Sequence, residues 1–380
     1  MRICIVYDCL FPHTVGGAER WYRNLAERLA REGNQVTYLT LRQWPRGESP
    51  DVPGVDVVVA GPRMALYVGG RRRILPPLVF GAGVLWHLLR HGRRYDVVHT
   101  ASFPYFSVLA AAAVQRLARF RLVVDWHEAW SRDYWREYLG RAGIVGWWVQ
   151  ALCVRVPQRA FCFSRLHGRR LEQLGLRPPP TVLSGEYAGS LDPPEPRPAD
   201  SLVVFAGRHI PEKRVPALVP ALELAAKRIP GLRCEIYGDG PERGEVERLV
   251  RERGLEDVIA VRGFAPAEEV EAGLGRALCM VLPSRREGYG MVVVESSSRG
   301  TPSVVVAGED NAATELVEEG ENGFVAASAS PEDLAAAIVR VHEAGLALRE
   351  RTARWFARNV HRLSLESSLE RVAESYRAGP

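Results

Sequence analysis

The chain lacks paired cysteines. Its six cysteines are scattered, mostly inside apolar runs, and none falls in a C-x-x-C pair: Cys4, Cys9, Cys153, Cys162, Cys234 and Cys279. A disulfide framework or a structural zinc site needs closely spaced or paired cysteines. We therefore predict buried free thiols in a reducing cytoplasm.

The sequence also lacks targeting and membrane-spanning features. No signal peptide is predicted, because the apolar start covers only Ile3 to Tyr7 before Asp8. The apolar run at residues 78–89 is shorter than the roughly 20 residues that a membrane span needs. The predicted location is the cytoplasm, with the inner face of the membrane as an option because of the basic segment described below.

No metal-binding Asp-x-Asp pattern occurs in the chain. Asp-x-Asp is a common metal-binding pattern, so we predict no metal site. Helix-turn-helix, zinc-finger and RNA-recognition signatures are missing too. These absences leave a protein of ordinary globular composition, 47% hydrophobic and 25% charged.

The net charge of +5 is unevenly divided along the 380 residues. Residues 1–187 hold 26 arginines and 14 acidic residues, whereas residues 188–380 hold 24 basic and 31 acidic residues. Such asymmetry indicates that the first half meets an anionic partner. Without a nucleic-acid signature, a membrane surface or a phosphate-bearing acceptor fits better than nucleic acid.

Much of the basic charge lies in residues 62–94, which contain seven arginines and no acidic residue around the apolar core. Arginine flanks and an apolar middle suit a helix in the interface of an anionic membrane. A core helix with solvated arginine ends is the equal alternative. A nearby group of tryptophans also has two interpretations. The rings could line an acceptor site or lie at lipid headgroups, or they could pack in the core: Trp126, Trp130, Trp135, Trp147 and Trp148.

Both halves alternate strands and helices, which predicts an α/β protein with a mostly parallel sheet in each half. A proline-rich break at Glu186 to Asp200 separates them. We predict a first domain over 1–187, a linker over 188–200, a second domain over 201–355 and a C-terminal helix over 356–380. Late helices are predicted at Ala312 to Glu318 and at Pro331 to Ala344. Four residues share one face of the last helix: Leu365, Leu369, Val372 and Tyr376.

The central stretch runs from Val281 to Val306 and reads as strand, loop, helix and strand. Its helix is predicted over Met291 to Arg299. A loop before a helix offers free N–H groups and the positive end of the helix dipole, which attract phosphate. Gly288 and Gly290 in this loop let the backbone approach a ligand closely.

Two glutamates, Glu287 in the loop and Glu295 in the helix, flank this predicted anion site. Carboxylates there would accept hydrogen bonds from sugar or ribose hydroxyls. Taken alone, the spacing more often indicates a solvated loop glutamate and an ordinary glutamate on the surface of a helix.

Further candidates follow other predicted strands. Arg208 and Lys213 flank the loop after the first strand of the second half, where they would bind a diphosphate or simply be solvated cations. Gly16 and Gly17 follow the first strand of the chain and form either a phosphate loop or a plain turn, without the G-x-G-x-x-G spacing of a dinucleotide site. His127 follows a mid-chain strand, where a structural histidine is the commoner outcome.

Taken together, four stretches resemble the retaining glycosyltransferases of family 4 over essentially the whole chain. They are Gly16 to Arg20, Asp125-Trp126-His127-Glu128, Phe205 to Arg208 with Lys213, and EGYGMVVVE at 287–295. The resemblance implies the GT-B fold of two facing Rossmann-like domains, with the final helix crossing back to the first domain. Ser296-Ser297-Ser298 departs from the usual small apolar residues of the family, which we interpret as a variation in helix packing.

The resemblance also assigns roles. It implies that Glu295 holds the ribose hydroxyls, that Glu287 and His127 contact the donor sugar, and that the amides around Gly288, Tyr289 and Gly290 cradle phosphate and sugar. The implied reaction is a front-face transfer in which the leaving diphosphate helps to deprotonate the acceptor. The donor would be a UDP- or GDP-linked sugar, with no other cofactor, and the acceptor a hydroxyl on a lipid-linked molecule, glycan or natural product.

Four other functions remain open at this point. A nucleotide-sugar epimerase or a phosphorylase would share the fold, and a non-catalytic nucleotide-sugar-binding subunit would share the site. The arginine count also permits a basic nucleic-acid-binding protein, although no motif supports it. Because unrelated functions share folds, the functional prediction rests on the site residues.

Overall fold

The computed structural model describes residues 1–68 and 71–377, which form two units, each built on a parallel β-sheet. Unit 1 comprises residues 1–184 together with the C-terminal residues from Ser368 on, and unit 2 comprises Gly185–Ser367. Alternation of strand and helix along the sequence thus gives an α/β sheet in each half, as predicted.

Unit 1 is a sheet of parallel strands with helices between them. Its strands are β1 (Arg2–Val6), β2 (Gln35–Leu41), β3 (Val55–Gly61), β4 (Tyr67–Val68), β5 (Arg71–Arg72), β6 (Val97–Ala101), β7 (Arg121–Trp126), β8 (Arg159–Cys162) and β9 (Thr181–Val182). Its helices are α1 (Gly17–Arg31), α2 (Leu75–His91), α3 (Tyr105–Ala118), α4 (Arg132–Leu139), α5 (Gly143–Val154) and α6 (Arg165–Gln173). The sheet order is β3-β2-β1-β6-β7-β8-β9, and β4 pairs with β5 in a separate antiparallel hairpin.

Helix α1 shows how the sequence pattern sets the packing. Trp21, Leu25 and Leu29 recur with the helical period, and all three are buried. Gly33 lies just beyond the helix with φ of +81°, a left-handed conformation that glycine adopts without strain. Its N–H donates to the carbonyl of Ala30 at 2.9 Å. The predicted apolar stripe and the predicted cap are both confirmed.

Helix α2 occupies most of the basic segment and has two different faces. Phe80, Val84 and Leu88 are buried. A Cβ atom on Gly83 would lie 1.7 Å from the carbonyl oxygen of Ala60, so the helix backbone touches β3 directly. The other side of the helix exposes Leu75, Leu78, Trp86 and Leu89. Within the described residues no helix is long and apolar enough to cross a membrane. Residues 69 and 70 of the basic segment lie outside the described part of the chain.

Unit 2 is built on a second parallel sheet. Its strands are β10 (Leu202–Ala206), β11 (Arg233–Tyr237), β12 (Ile259–Gly263), β13 (Cys279–Leu282), β14 (Arg286–Glu287), β15 (Ser303–Val306), β16 (Asp310–Asn311) and β17 (Gly323–Ala326). Its helices are α7 (Leu218–Ala226), α8 (Arg243–Glu252), α9 (Ala267–Arg276), α10 (Met291–Ser297) and α11 (Pro331–Leu363). The main sheet has the order β12-β11-β10-β13-β15-β17, and β14 pairs with β16.

This strand order reverses between β10 and β13. The chain moves outward from β10 through β11 to β12 and then returns to the other side of β10 at β13. The loops after β10 and β13 therefore diverge, and such a switch point is where open α/β sheets bind ligands.

The C-terminal helices match the prediction in part. The helix that begins at Pro331 is interrupted at Gly345, with φ of 55° and ψ of −146°, so its predicted end at Ala344 is confirmed. A second helical segment of α11 follows this kink and runs to Leu363. The predicted last helix over 356–380 therefore starts inside α11. Phe356 is buried within unit 2, where its ring lies 5.6 Å from that of Tyr187. A separate helix, α12 (Leu365–Arg377), follows. Its predicted buried face is confirmed.

The prediction of a helix over Ala312 to Glu318 was wrong. The chain forms only a short 3-10 helix, Ala312–Leu316. The side chain of Asn311 accepts a hydrogen bond from the N–H of Ala313 at 3.1 Å and donates to the carbonyls of Ser284 and Val306. These long-range hydrogen bonds fix the start of the segment against neighbouring loops and override its local helical preference.

Candidate active site

Arg208 and Lys213 lie in the loop that follows β10, on one side of the switch point in unit 2. A 3-10 turn, Pro211–Lys213, closes this loop, and the N–H of Lys213 donates to the carbonyl of Ile210 at 2.8 Å. Arg208 is exposed and forms no ion pair with another described residue. Burial lowers the pKa of the intervening His209, which keeps its ring neutral. Arg208 and Lys213 are the two predicted site cations of this loop, which also carries Glu212 and Arg214.

Lys213 pairs with Glu287 across the switch point. Its Nζ lies 2.5 Å from Glu287 Oε1, and the two side chains are 18% and 10% exposed. Lys213 follows β10 and Glu287 follows β13, so the pair links the two diverging loops. An ammonium group has three N–H donors, and one contact with Glu287 leaves donors for a ligand. The sequence analysis assigned separate roles to these two residues and did not predict their pairing across 74 positions.

Backbone contacts hold the loop of Glu287 in place. Glu287 pairs with Asn311 in the short β14–β16 ladder. The N–H of Arg285 donates to the carbonyl of Glu212 at 2.8 Å, which ties this loop to the turn that carries Lys213. Both sides of the Lys213–Glu287 pair are thus fixed by hydrogen bonds that do not depend on a ligand.

Gly290 and Tyr289 show why this loop needs its particular residues. Gly290 has φ of 102°, and a Cβ atom there would lie 2.6 Å from that of Ala313, so only glycine fits. The Tyr289 side chain is 7% exposed. Burial, reinforced by the charge of Glu186, raises the pKa of its hydroxyl. The side chain of Tyr289 is therefore part of the packing of unit 2, and its backbone N–H is the group that could face a ligand.

Helix α10 carries Glu295 and is shorter than predicted. It ends at Ser297 rather than Arg299, because the left-handed Gly300 (φ of 67°) turns the chain back. The Ser296 hydroxyl donates to the carbonyl of Thr301 at 2.8 Å and is fully buried. The serines of this helix are packing residues, as interpreted from the sequence. Glu295 lies half-buried in the last turn.

Gly16 and Gly17 lie at the start of α1, at the carboxyl end of β1 in unit 1. Gly16 is extended, with φ of −171°, so its backbone conformation does not require glycine. A Cβ atom on Gly16 would instead lie 2.3 Å from the carboxylate of Glu19, the far end of a flexible side chain. The first N–H groups of a helix have no partner inside that helix. The predicted phosphate loop therefore has N–H donors, and its role stays a prediction.

His127 follows β7 at the same edge of the unit 1 sheet. Its ring stacks on Phe163, with centroids 4.5 Å apart and planes 4° apart. Nε2 of His127 is buried without a hydrogen-bond partner among the described residues. Burial lowers the pKa of His127, although the nearby carboxylates of Asp125 and Glu128 oppose the shift. A neutral ring with one unused nitrogen can exchange a hydrogen bond with a hydroxyl group.

Sequence reasoning missed a buried polar network beneath His127. Asp125 Oδ2 accepts a hydrogen bond from Trp21 Nε1 at 2.7 Å, and Oδ1 lies 2.8 Å from His99 Nε2. The other ring nitrogen of His99 contacts the Tyr376 hydroxyl. The network connects α1, β6, β7 and α12 inside unit 1. Its sequence signal was an aspartate and a histidine inside otherwise apolar buried strands.

The chain matches the models of two protein families. Residues 15–184 match the family described as Glycosyltransferase Family 4. Residues 192–355 match the family described as Glycosyl transferases group 1. Together the two matches cover most of the chain, and each lies almost entirely within one unit.

Individual proteins are similar over different lengths. A D-inositol 3-phosphate glycosyltransferase of Thermomonospora curvata is 26% identical over 95% of this chain and 90% of its own length. An alpha-D-kanosaminyltransferase of Streptomyces kanamyceticus is 32% identical over 40% of this chain and 39% of its own length.

A solved structure shares the fold over the full length. The Anabaena protein HepE, solved in complex with UDP and glucose, superposes with a TM-score of 0.73 at 18% identity and covers 100% of both chains. Similarity at this identity supports the fold alone. The two family matches, the parallel sheets of both units and the switch-point residues converge on one assignment. This chain belongs to family 4 of the glycosyltransferases and has the GT-B fold.

Proposed function

We propose that this glycosyltransferase moves a sugar from a UDP- or GDP-linked donor to a hydroxyl acceptor with retention of configuration and without a metal ion. The Lys213–Glu287 pair at the switch point of unit 2, with Arg208 in the same loop, is the observation that carries the proposal. It places positive charge and a carboxylate side by side where such sheets bind ligands. A nucleotide sugar needs both, one for its diphosphate and the other for its sugar hydroxyls.

The two cations would act on charge that grows during the reaction. The acceptor oxygen forms a bond to the anomeric carbon while the bond from that carbon to the phosphate oxygen breaks. The acceptor proton passes to the departing diphosphate. Preorganised Arg208 and Lys213 would stabilise the charge developing on that diphosphate more in the transition state than in the ground state.

Glu287 is better suited to positioning than to covalent attack. Its carboxylate is engaged by Lys213 at 2.5 Å, which reduces its strength as a nucleophile. In this proposal Glu287 accepts hydrogen bonds from the donor sugar, and Glu295 holds the ribose. His127 contacts the donor sugar through Nε2. The N–H groups of Gly16, Gly17, Gly288, Tyr289 and Gly290 supply donors for phosphate and sugar.

Release of nucleoside diphosphate tests the proposal. The purified protein is incubated with UDP- and GDP-sugars, with and without candidate acceptors, in the presence of EDTA. We expect release that increases with acceptor and persists in EDTA. Activity that EDTA abolishes and manganese restores would overturn metal independence. Conversion of the donor without nucleotide release would indicate an epimerase, and binding without turnover would indicate a non-catalytic subunit.

Membrane contact through α2 is the second part of the proposal. The exposed apolar face of α2 is accompanied by basic side chains, and the guanidinium of Arg90 lies 3.8 Å from the ring centre of Trp86. An amphipathic face with arginines binds anionic lipid surfaces. This contact would bring the enzyme to a lipid-linked acceptor at the cytoplasmic face of the membrane.

Sedimentation with vesicles tests this contact. We expect binding to vesicles rich in phosphatidylglycerol, weaker binding as salt rises, and a several-fold loss in the Trp86→Ser and Leu89→Ser double variant. Leu346→Ser, which changes an exposed leucine of unit 2, serves as the control. Equal recovery with neutral and anionic vesicles would contradict the electrostatic part of the proposal.

A further inference from the structure

A cavity of about 640 Å³ opens at the carboxyl ends of β2 and β3 in unit 1. Arg42 follows β2 directly, and Arg63 lies two residues after the end of β3. Arg46 and the buried Trp44 also line the cavity. It involves none of the residues assigned above to the donor, and it shares only Pro62 and Arg63 with the basic segment 62–94.

The cavity concentrates unpaired positive charge. Three arginines are among the described residues that line it, and none of these lining residues is acidic. Arg42, Arg46 and Arg63 form no ion pair with any other residue in the described part of the chain. Three like charges around one concave surface repel each other unless an anion joins them, and a concave surface strengthens their combined field. The arrangement therefore favours an anionic ligand.

Hydrogen bonds hold one wall of the cavity in a fixed position. The side-chain oxygen of Gln43 accepts from the N–H of Leu10 at 2.9 Å and from the Thr14 hydroxyl at 2.7 Å. Its amide nitrogen donates to the carbonyl of Asp8 at 3.0 Å. Gln43 thus ties the segment after β2 to the loop that leads to Gly16. A ligand would meet a wall that is formed before binding, which reduces the entropic cost of binding.

The cavity lies on the same edge of the sheet as the other candidate residues of unit 1. All seven strands run parallel, so the loops after β1, β2, β3 and β7 leave from one edge. Strand β2 is next to β1, and three strand intervals separate it from β7. At about 4.8 Å per interval, the cavity lies roughly 14 Å along the sheet from the strand that precedes His127. An acceptor a few sugar or alcohol units long spans that distance.

We propose that this cavity binds a phosphate ester carried by the acceptor. Arginine forks match phosphate oxygens in pairs, and charge-assisted hydrogen bonds of this kind are stronger than neutral ones. The phosphate would occupy the arginine-lined cavity while the acceptor hydroxyl extends along the sheet edge toward His127. This inference names the acceptor class and rests on the proposed transferase function.

Direct binding measurements test the cavity without requiring turnover. Inorganic phosphate and sn-glycerol 3-phosphate are titrated calorimetrically at low ionic strength into the wild type and into Arg42→Gln, Arg46→Gln and Arg63→Gln. Arg31→Gln is the matched control, because Arg31 is an exposed arginine of α1 outside the cavity. We expect Kd to rise about tenfold or more for each cavity variant and to stay unchanged in the control. Melting temperatures verify that each variant is folded.

A second arm distinguishes a soluble from a lipid phosphate. Vesicles containing phosphatidylglycerol are compared with glycerol 3-phosphate as competitors for the cavity. Competition by both points to a lipid-linked acceptor, whereas competition by the soluble ester alone points to a soluble acceptor. Either result supports a phosphate site. Wild-type affinity in the three cavity variants, equal loss in Arg31→Gln, or absence of binding by every phosphate probe would overturn the inference.

Nucleotide binding separates this test from the proposed function. Thermal shifts with UDP and GDP report on unit 2 residues and should be the same in the three cavity variants as in the wild type. If the wild type binds no nucleotide and releases none from any donor, the proposed function fails even if the cavity binds phosphate. If nucleotide release is normal and the cavity variants bind phosphate normally, only the cavity assignment fails.

Discussion

Replacing Lys213 with alanine should damage stability as well as turnover, because Lys213 compensates the charge of Glu287. The Glu287 side chain is 10% exposed, so the pair is neither fully buried nor on the surface. A surface ion pair contributes about 0–1 kcal/mol to stability, whereas removing one partner of a buried pair costs about 3–5 kcal/mol. We expect a loss of about 2–3 kcal/mol. In a unit of this size each kcal/mol shifts Tm by about 2–4 °C, so the transition of unit 2 should fall by roughly 4–12 °C.

Arg208→Ala is the contrasting variant. Arg208 is exposed and has no ion-pair partner among the described residues, so its removal should change stability by less than about 0.5 kcal/mol. Both Arg208→Ala and Lys213→Ala remove a preorganised electrostatic donor, and each should lower kcat by about 10²–10³. The two variants should therefore resemble each other in turnover and differ in melting temperature.

A double variant isolates the pair. In Lys213→Ala combined with Glu287→Gln no uncompensated charge remains, so much of the lost stability should return, while turnover stays low. Calorimetry of unfolding and steady-state release of nucleoside diphosphate measure the two effects. Near-normal turnover of folded Arg208→Ala and Lys213→Ala would refute the assignment of these residues to the diphosphate. A Lys213→Ala protein as stable as the wild type would refute the energetic reasoning about the pair.

Three other predictions test separate features. Gly290→Ala should lower the free energy of unfolding by about 2 kcal/mol or more, because it combines a left-handed φ with a Cβ atom 2.6 Å from that of Ala313. Gly254→Ala is the control, since Gly254 has φ of +63° but open space around it. It should lower the free energy of unfolding by about 1 kcal/mol in the same melting experiment. Burial alone would raise the pKa of Asp125, but His99 and Trp21 outweigh it and lower the pKa below its ordinary value. The resulting stability is present above about pH 4 and lost as the pH falls further, so Asp125→Asn should flatten the acid dependence of unit 1 melting, and an unchanged slope would contradict this. Glu295→Ala should raise KM while kcat changes little, since a contact with ribose is the same in ground and transition states; an equal fall in kcat and kcat/KM would assign Glu295 to the reacting centre instead.

The alternation of strands and helices, and most of their positions, could be predicted from the pattern of apolar residues in the sequence. Strand β10 has the predicted bounds, Leu202 to Ala206, and the buried stripe of α1 was readable from its period. Burial on both faces of parallel strands and on one stripe of a helix leaves a strong local pattern. The positions of the glycines, acids and cations in the four family stretches were likewise available from the sequence.

Which of these residues lie in contact depends on long-range packing and was seen only in the folded chain. Lys213 and Glu287 are 74 positions apart, and their pairing depends on β13 lying next to β10. The network around Asp125 and the arginine cavity depend in the same way on strand order. That order is set by which elements pack together over long distances, and a local pattern of apolar residues does not encode it. The two faces of α2 show the same limit, since its backbone contact with β3 decides which apolar residues are buried and which are left exposed.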